Sequence, residues 1–290
     1  MTLARDLGLG RGHWQDLIKE ETANFVMKLR QLKGKPTDIS HELAISVTSN
    51  IIALLIGRRL TEHETDKLQL SVNYSDVAFI YMGPSNPTTI VPALRNVCEV
   101  FKIAGYNKAM KIIRHFSAFI KEEINRHKTS PLLQDTPDFI NSYLDKISEI
   151  SRSNKQNQGF SEEMLQGTLN ILFLASSDTM FSSLGWLFRL MCKHKDIQHK
   201  VYAELTEVLG KDGKARYEER DKIPYTFAVI MEAQRYGSNV PLSGNRLAFD
   251  DIPINGYIIP KGSEITANLW ALHHDPAYWE KPEEFRSERF

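Results

Sequence analysis

The chain has 290 residues, of which 42% are hydrophobic, and this is enough for a sizeable core. Its 36 basic and 36 acidic residues give a formal net charge of zero, so composition gives no argument for a nucleic-acid partner or an anionic membrane. Cys98 and Cys192 are too few for a disulfide framework and lack metal-site spacing. We find no signal peptide and no uninterrupted run of about 18 apolar residues, which predicts a soluble globular protein.

Helical periodicity covers most of the first 235 residues. Polar or Pro/Gly-containing stretches interrupt this periodicity at 32–37, 83–89, 127–137, 151–159 and 210–221. The longest predicted helix runs from about Ser161, a good N-cap residue, to about Cys192. Almost every position from Leu169 to Leu174 is apolar, so we expect this helix to be central and buried on all sides.

The character of the chain changes at residue 240, where short strands begin. Asn255-Gly256 favours a type I′ hairpin between two strands, and Pro260 to Gly262 predicts a second turn. The predicted strands are 247–249, 252–254, 257–259 and 265–267. The fold class is therefore mainly α with a small β-sheet region, an α+β fold. We expect one domain over 1–290, with a helical body at 1–239 and the small sheet and following segment at 240–290.

Four polar residues interrupt the long helix at its middle: Ser176, Ser177, Asp178 and Thr179. Each buried polar group needs a partner or a wet cavity, because burial without one costs a few kcal/mol. One interpretation is structural: the hydroxyls bond back to the preceding turn, and Asp178 pairs with a basic residue. The other is functional: an acid beside a hydroxyl forms a proton relay.

Two further sets of charged residues follow in the chain. Glu232 and Arg235 are three apart, which places them on one helix face as an ion pair. Alone this spacing is weak, since such a motif is expected about once by chance in a chain of this size. Arg246 lies just before a strand and is suited to binding a carboxylate, although an ordinary surface arginine is the alternative.

In this order, and followed by Arg289-Phe290, these motifs resemble the haem-thiolate monooxygenases, the cytochromes P450. Ala175, Asp178 and Thr179 match the family's central-helix motif. Ser176 departs from it, where the family prefers glycine, and so does Met180, where the family prefers a hydroxyl. Ser287 replaces a usual proline, which affects the turn more than the charge network.

The resemblance extends over nearly all of the chain and is closest to the microsomal branch that metabolises drugs and steroids. Its segments occur here in the same order. They are Arg5 to Gly10, Asn50 to Ile52, Gly57 to Leu60, Asp138 to Leu144 and Phe160 to Glu163. The family's membrane anchor and its haem-binding cysteine loop are both missing. We therefore expect an internal fragment, an incomplete cytochrome P450 fold, that reaches a membrane only through the missing N-terminal segment.

The resemblance also assigns roles to residues of this chain. It implies a proton relay at Asp178 and Thr179, haem contacts at Ala175 and Ser176, and a haem propionate on Arg246. It further implies a structural triad of Glu232, Arg235 and Arg289. Apolar substrate contacts are expected from Phe173, Leu174, Val240 and Leu242, and from the segment around Val77 to Met82.

The implied reaction inserts one atom of O2 into a small apolar organic substrate such as a xenobiotic, a steroid or a fatty acid. The implied cofactor is haem, iron protoporphyrin IX. Electrons would come from NADPH through NADPH-cytochrome P450 reductase, at the endoplasmic reticulum membrane. Cys98 and Cys192 each fall within a helical pattern and lack the family's flanking residues, so neither replaces the axial cysteine. The alternative is a catalytically silent product that acts as a regulator or as a decoy for the reductase.

Overall fold

The computed structural model describes residues 13–82, 87–91, 93–101, 103–130, 138–152, 159–211, 213 and 215–290. The Arg5 to Gly10 segment of the resemblance lies outside these residues. The chain divides into two compact units, Met1–Phe181 and Ser182–Phe290. The expectation of a single domain stays a prediction, and each unit is described by itself below.

The first unit is helical. Its helices are α1 (His13–Gln31), α2 (Ser40–Ile56), α3 (Thr65–Met82), α4 (Pro87–Ile90), α5 (Ala93–Val100), α6 (Ala104–Thr129), α7 (Phe139–Arg152) and the first part of α8 (Glu162–Lys193). A 3-10 turn, Glu62–Glu64, precedes α3. The observed breaks agree with the predicted ones at 32–37, and α7 ends at Arg152, where the break at 151–159 begins.

Aromatic side chains from three helices form the centre of the first unit. Tyr74 of α3 stacks on Phe116 of α6, with ring centroids 4.0 Å apart. Phe173 of α8 packs 4.7 Å from Phe116 and 5.9 Å from Tyr74. All three side chains are almost fully buried, so this cluster fixes the position of α8 against α3 and α6.

The second unit combines helices with short strands. It contains the end of α8, α9 (Lys195–Leu209), α10 (Pro224–Gly237), β1 (Arg246–Leu247), β2 (Ile252–Ile254), β3 (Tyr257–Ile259), β4 (Glu264–Ile265) and α11 (Leu269–His274). 3-10 turns lie at Tyr217–Lys222 and Ser287–Arg289. Its core consists of Leu190, Ile197, Val229, Ala233 and Phe285.

The strands form two antiparallel pairs. β2 pairs with β3, with Ile254 opposite Tyr257, and β1 pairs with β4. Asn255 and Gly256 both have positive φ, 46° and 82°, which is the backbone conformation that a type I′ turn requires. The predicted hairpin and the predicted fold class, mainly α with a small β region, are confirmed.

The long helix α8 begins and ends one residue from the predicted limits. The Ser161 hydroxyl accepts a hydrogen bond from the Met164 amide at 3.2 Å, which is the expected N-cap contact. The prediction that α8 is buried on all sides is wrong. Only one stripe of its first half is buried, at Leu165, Leu169, Phe173 and Ser177, whereas Ile171 is 67% exposed. An i, i+4 stripe is what neighbouring helices cover, and apolar composition alone does not report how many neighbours a helix has.

Helix α8 is long and apolar enough to cross a membrane by length and hydropathy. One helix of this kind does not by itself establish a membrane span; 11% of its apolar window is buried, and Phe173 of α8 contacts aromatic side chains of α3 and α6.

Candidate functional site

The polar residues at the middle of α8 point in different directions. The Thr179 hydroxyl donates a hydrogen bond to the Ala175 carbonyl at 2.8 Å, one turn earlier. This is the back-bonding that the structural interpretation expects of a hydroxyl inside a helix. The Ser177 side chain is 3% exposed, and its hydroxyl has no hydrogen-bond partner among the described residues. Ala175 is exposed and Ser176 is partly exposed.

Asp178 lies in a cleft of about 220 Å³ whose walls come from α2, α3 and α8. The cleft brings together several polar side chains with Asp178, namely Thr48, Ser75, Asp76 and Ser177. Burial raises the pKa of Asp178, and the nearby charge of Asp76 raises it further. The expected basic partner of Asp178 is therefore replaced, among the described residues, by a second acid.

The structure brings Glu232, Arg235 and Arg289 together in the second unit. The Arg235 guanidinium donates two hydrogen bonds to the Glu232 carboxylate, at 2.7 Å from Nε and 2.9 Å from Nη2. Arg289 Nε lies 3.3 Å from Glu232 Oε1, within ion-pair distance. Its N–H is not aligned with that oxygen, so the contact is an ion pair without a hydrogen bond. The Glu232 and Arg235 side chains are 0% and 2% exposed, so the pair is buried.

Backbone groups complete this charged cluster. Glu232 also accepts a hydrogen bond from the Arg286 amide at 2.9 Å. Arg235 donates to the carbonyl of His273 at 2.8 Å and Arg289 to that of Lys281 at 2.7 Å. The cluster therefore ties the segment 273–289 to α10, and each charge in it is met by an opposite charge or a backbone dipole. Such an arrangement compensates the cost of burying ions.

The other predicted site residues have separate positions. Arg246 is exposed on β1 and makes no ion pair with any residue that the structure describes. Val240 and Leu242, predicted substrate contacts, are exposed. Phe173, predicted to contact substrate as well, is instead 0% exposed in the aromatic core of the first unit. It faces the core because it lies on the i, i+4 stripe that α3 and α6 cover. Its neighbour Leu174, off that stripe, is partly exposed.

A second buried charge cluster in the first unit was not predicted. Arg58, which follows α2, pairs with Glu64 at 2.8 Å and with the fully buried Glu123 of α6. One turn further along α6, His127 Nε2 lies 3.1 Å from the Asp138 carboxylate, and both side chains are 0% exposed. The i, i+4 spacing of Glu123 and His127 on an amphipathic helix was the available signal, but it does not identify partners that are distant in sequence.

Burial alone lowers the pKa of His127. The hydrogen bonds to the Asp138 carboxylate and to the Glu123 carbonyl outweigh that effect and raise the pKa. Gly57, between α2 and Arg58, has a φ of 69°, and a Cβ there would lie 2.7 Å from Asp138 Cβ. Glycine is therefore required at this position both by the backbone conformation and by the close approach of Asp138.

Two of the residues predicted to contact haem have exposed surface, one in each unit. The free guanidinium of Arg246 is suited to a propionate, and Ala175 leaves an exposed, small position on α8. Cys98 lies inside α5 and Cys192 inside α8, as the sequence predicted. Within the described ranges no three His, Cys, Asp or Glu side chains cluster in a way that would hold a metal ion.

Comparison with known proteins identifies the family. The cytochrome P450 family model matches residues 2–290. Cytochrome P450 2U1 of Bos taurus is 31% identical over 289 residues, an alignment that covers 99% of this chain and 52% of the relative. Cytochrome P450 2J5 of Mus musculus is 32% identical over 291 residues, with 99% of this chain and 56% of the relative covered. The chain thus spans about half the length of the curated relatives it matches.

The match includes the long helix α8, the buried Glu232–Arg235–Arg289 cluster and the small strands that lie between Arg235 and Arg289 in the chain, and it leaves almost none of the chain outside. The chain belongs to the cytochrome P450 family.

Proposed function

We propose that this chain is the central part of a haem-dependent monooxygenase that inserts one atom of O2 into a small apolar organic substrate. The observation that carries the proposal is the family match over residues 2–290. When bound, haem supplies the activation of O2. Electrons would come from NADPH through NADPH-cytochrome P450 reductase, and the site of action would be the endoplasmic reticulum membrane.

The chain's own residues would bind, orient and deliver protons. Arg246 would hold a haem propionate, because its guanidinium is exposed and has no competing ion pair among the described residues. Ala175 and Ser176 would leave room for the cofactor on α8, since both are small. Leu174, Val240 and Leu242 have exposed surface to offer an apolar substrate. Phe173 would act only from the core, by positioning α8.

The proposed proton relay uses Asp178 and Thr179. A carboxyl whose pKa is raised is protonated more of the time near neutral pH, so it is a better proton donor than an exposed aspartate. Thr179 would have to rotate from its bond with the Ala175 carbonyl to pass a proton on. Met180 provides no hydroxyl beside it, so the relay would depend on Thr179 and water.

A first experiment tests the activity itself. The protein is expressed from its genomic coding region with any in-frame flanking sequence, reconstituted with the reductase and NADPH, and supplied with ¹⁸O2 and an apolar substrate. We expect one ¹⁸O atom in each product molecule and a red-shifted Soret band after reduction and addition of CO. Absence of both from folded protein would contradict the proposal.

The second candidate function is a catalytically silent regulator or a decoy for the reductase. The helical positions of Cys98 and Cys192 favour it for the chain of 290 residues alone. We expect this chain, purified and mixed with haemin, to lack the red-shifted Soret band of a thiolate complex. The appearance of that band at full occupancy would show that one of the two cysteines binds the iron.

Replacing Thr179 tests the relay. In the reconstituted enzyme Thr179→Ala should leave haem content close to that of the parent, because the lost hydrogen bond is local and one such bond contributes only about 0.5–1.5 kcal/mol. The variant should form less product and more hydrogen peroxide per NADPH consumed. Thr129→Ala is the matched control, since the Thr129 hydroxyl makes the same i−4 bond on α6. Equal product ratios in the two variants would assign Thr179 a structural role only.

A further inference from the structure

The buried pair of His127 and Asp138 joins two helices of the first unit through one ionisable ring. His127 lies on α6, and Asp138 lies immediately before α7. The His127 Nδ1 atom faces the Glu123 carbonyl at 2.7 Å, and Nε2 faces the Asp138 carboxylate at 3.1 Å. Both neighbours are hydrogen-bond acceptors, so the ring satisfies both only as an imidazolium, which carries two N–H groups.

Asp138 also holds the first turn of α7. Its Oδ1 atom accepts a hydrogen bond from the Asn141 backbone amide at 2.8 Å, and its Oδ2 atom accepts one from the Asn141 side-chain amide at 3.3 Å. The Ser142 amide donates to the Asp138 carbonyl at 3.3 Å. The carboxylate that meets the His127 ring is therefore the capping group of α7, and the charge of that ring acts on the start of this helix.

The surrounding cations are matched by other acids, among the residues that the structure describes. Arg58 binds Glu64 and Glu123, and Arg126 binds Glu123 at 3.0 Å. Two further cations near these helices are also paired with other acids, Lys67 with Glu64 and Glu122 and Lys128 with Glu162. Of the described side chains, a protonated His127 is therefore the cation that balances the buried Asp138 carboxylate.

We propose that His127 and Asp138 form a proton-operated latch between α6 and α7, closed when the imidazole is protonated and open when it is neutral. A neutral ring keeps one N–H, so either tautomer turns a lone pair towards an oxygen atom, in a site where both side chains are 0% exposed. The Glu123 carbonyl is fixed within α6. The repulsion is therefore relieved by separation of the ring from Asp138, which loosens the first turn of α7.

The latch should open towards alkaline pH. Burial lowers the pKa of His127, and the hydrogen bonds to the Asp138 carboxylate and the Glu123 carbonyl outweigh this effect and raise it. The latch is thus closed at pH 6 and opens as pH rises through the raised pKa. The proposal does not rest on the monooxygenase function, because every group of the latch belongs to the first unit.

Amide hydrogen exchange in the purified chain of 290 residues tests the latch. Protection factors, which correct for the intrinsic pH dependence of exchange, are measured at pH 6 and at pH 9. We expect the protection of the Asn141 and Ser142 amides to fall by at least about tenfold at pH 9, because a hydrogen bond to a charged group is lost. The amides of Val229 and Ala233, in the core of the second unit, should keep their protection.

His127→Gln separates the latch from a packing role. Glutamine has N–H donors but no titrating proton, so the protection of the Asn141 and Ser142 amides should become independent of pH. Asp138→Asn should have the same effect while asparagine still caps α7, and it replaces His127→Gln in the test if that variant does not fold. His115→Gln replaces an exposed histidine of α6 and should retain the response of the parent.

Nuclear magnetic resonance of ¹⁵N-histidine-labelled protein observes the proton itself. Of the nine histidines, one ring should titrate above the ordinary imidazole pKa, and its signals should be missing from His127→Gln. The proposal is overturned if no ring in the parent titrates above that value, or if the protection of the Asn141 amide in the parent does not fall with pH. An equal fall in the parent and in His127→Gln or Asp138→Asn also overturns it.

Discussion

The Glu232 cluster of the second unit and the Asp178 cleft of the first unit use the same residue types in opposite ways. In the cluster, one carboxylate meets two guanidinium groups and a backbone amide, and the side chains of the central pair are almost fully buried. In the cleft, the charge of Asp76 disfavours ionisation of Asp178. The hydroxyls of Ser75 and Ser177, which precede these two acids in the chain, have no hydrogen-bond partner among the described residues.

The difference separates stability from function. Buried charges that are fully paired contribute to a fixed geometry, and removing one partner is costly because it strands the other. Buried or half-buried groups left without partners cost stability in the folded chain, so they are candidates for binding or proton transfer. A substitution in the Glu232 cluster should therefore lower the free energy of unfolding. A substitution in the Asp178 cleft should leave it unchanged or raise it.

The largest expected effect comes from breaking the paired cluster. Arg235→Ala leaves the buried Glu232 carboxylate without its main partner, which should cost about 3–5 kcal/mol. This is a large share of a typical domain stability of about 5–15 kcal/mol. Trp186, Trp270 and Trp279 lie in the second unit, and Arg235 stacks over the Trp279 ring at 5.2 Å. The midpoint of urea unfolding followed by tryptophan fluorescence is therefore the measurement.

Lys222→Ala is the control for this prediction. Lys222 and Glu219 are also spaced i, i+3 in the second unit, but Lys222 is 64% exposed. Exposed ion pairs contribute about 0–1 kcal/mol, so this variant should unfold near the parent midpoint. If both variants shift the midpoint equally, the buried cluster has no special stabilising role.

An intermediate effect is expected at the buried His127–Asp138 pair, because the imidazole can make both of its hydrogen bonds only when it is protonated. The two ring nitrogens face a carbonyl at 2.7 Å and a carboxylate at 3.1 Å, so both hydrogen bonds need an N–H donor. A neutral ring has only one. Because the pKa of His127 is raised in the folded chain, its stabilisation is complete below about pH 6.5, the ordinary imidazole value, and is lost as pH rises through the raised pKa.

The measurement is the free energy of unfolding obtained from urea titration followed by circular dichroism, parent minus His127→Gln, at pH 6 and at pH 9. We expect this difference to shrink at pH 9 by no more than about 1.5–3 kcal/mol, the contribution of one hydrogen bond to a charged group. His115→Gln replaces an exposed histidine of the same helix and should show no such change. If this difference grows with pH, the assignment of a protonated His127 in the folded chain is wrong.

Features that depend on residues close together in the sequence were predictable. The limits of α8 follow from a capping serine and a long apolar pattern. The hairpin follows from Asn255-Gly256, and the pairing of Glu232 with Arg235 follows from helical spacing. Each is determined by backbone geometry over a few residues, so no knowledge of the tertiary packing is needed.

Features that depend on which helices meet were not predictable. Apolar periodicity does not distinguish Phe173, which is in the core, from Ile171, which is exposed, because both sit in one apolar run. The acid that neighbours Asp178 comes from α3, and the partner of His127 comes from the start of α7. A sequence pattern predicts that a buried charged residue has a charged neighbour, but it does not identify that neighbour. Beside Asp178 the neighbour is an acid, whereas a basic residue was expected.

The smallest expected effect tests whether the charged neighbour of Asp178 is an acid. Asp178→Asn removes a carboxylate that is destabilised by burial and by Asp76, so the variant should be slightly more stable than the parent at pH 7, by less than about 1 kcal/mol because Asp178 is partly exposed. The folded-state pKa is raised above the ordinary 3.8, so the cost is present at pH above the raised value and vanishes as pH falls toward 3.8. The gain at pH 7 should accordingly disappear near pH 4. Urea unfolding by circular dichroism measures it, with Asp66→Asn, at an exposed carboxylate of α3, as the control. A loss of stability in Asp178→Asn at pH 7 would mean that Asp178 has a stabilising partner, and the contrast between the paired cluster and the open cleft would no longer hold.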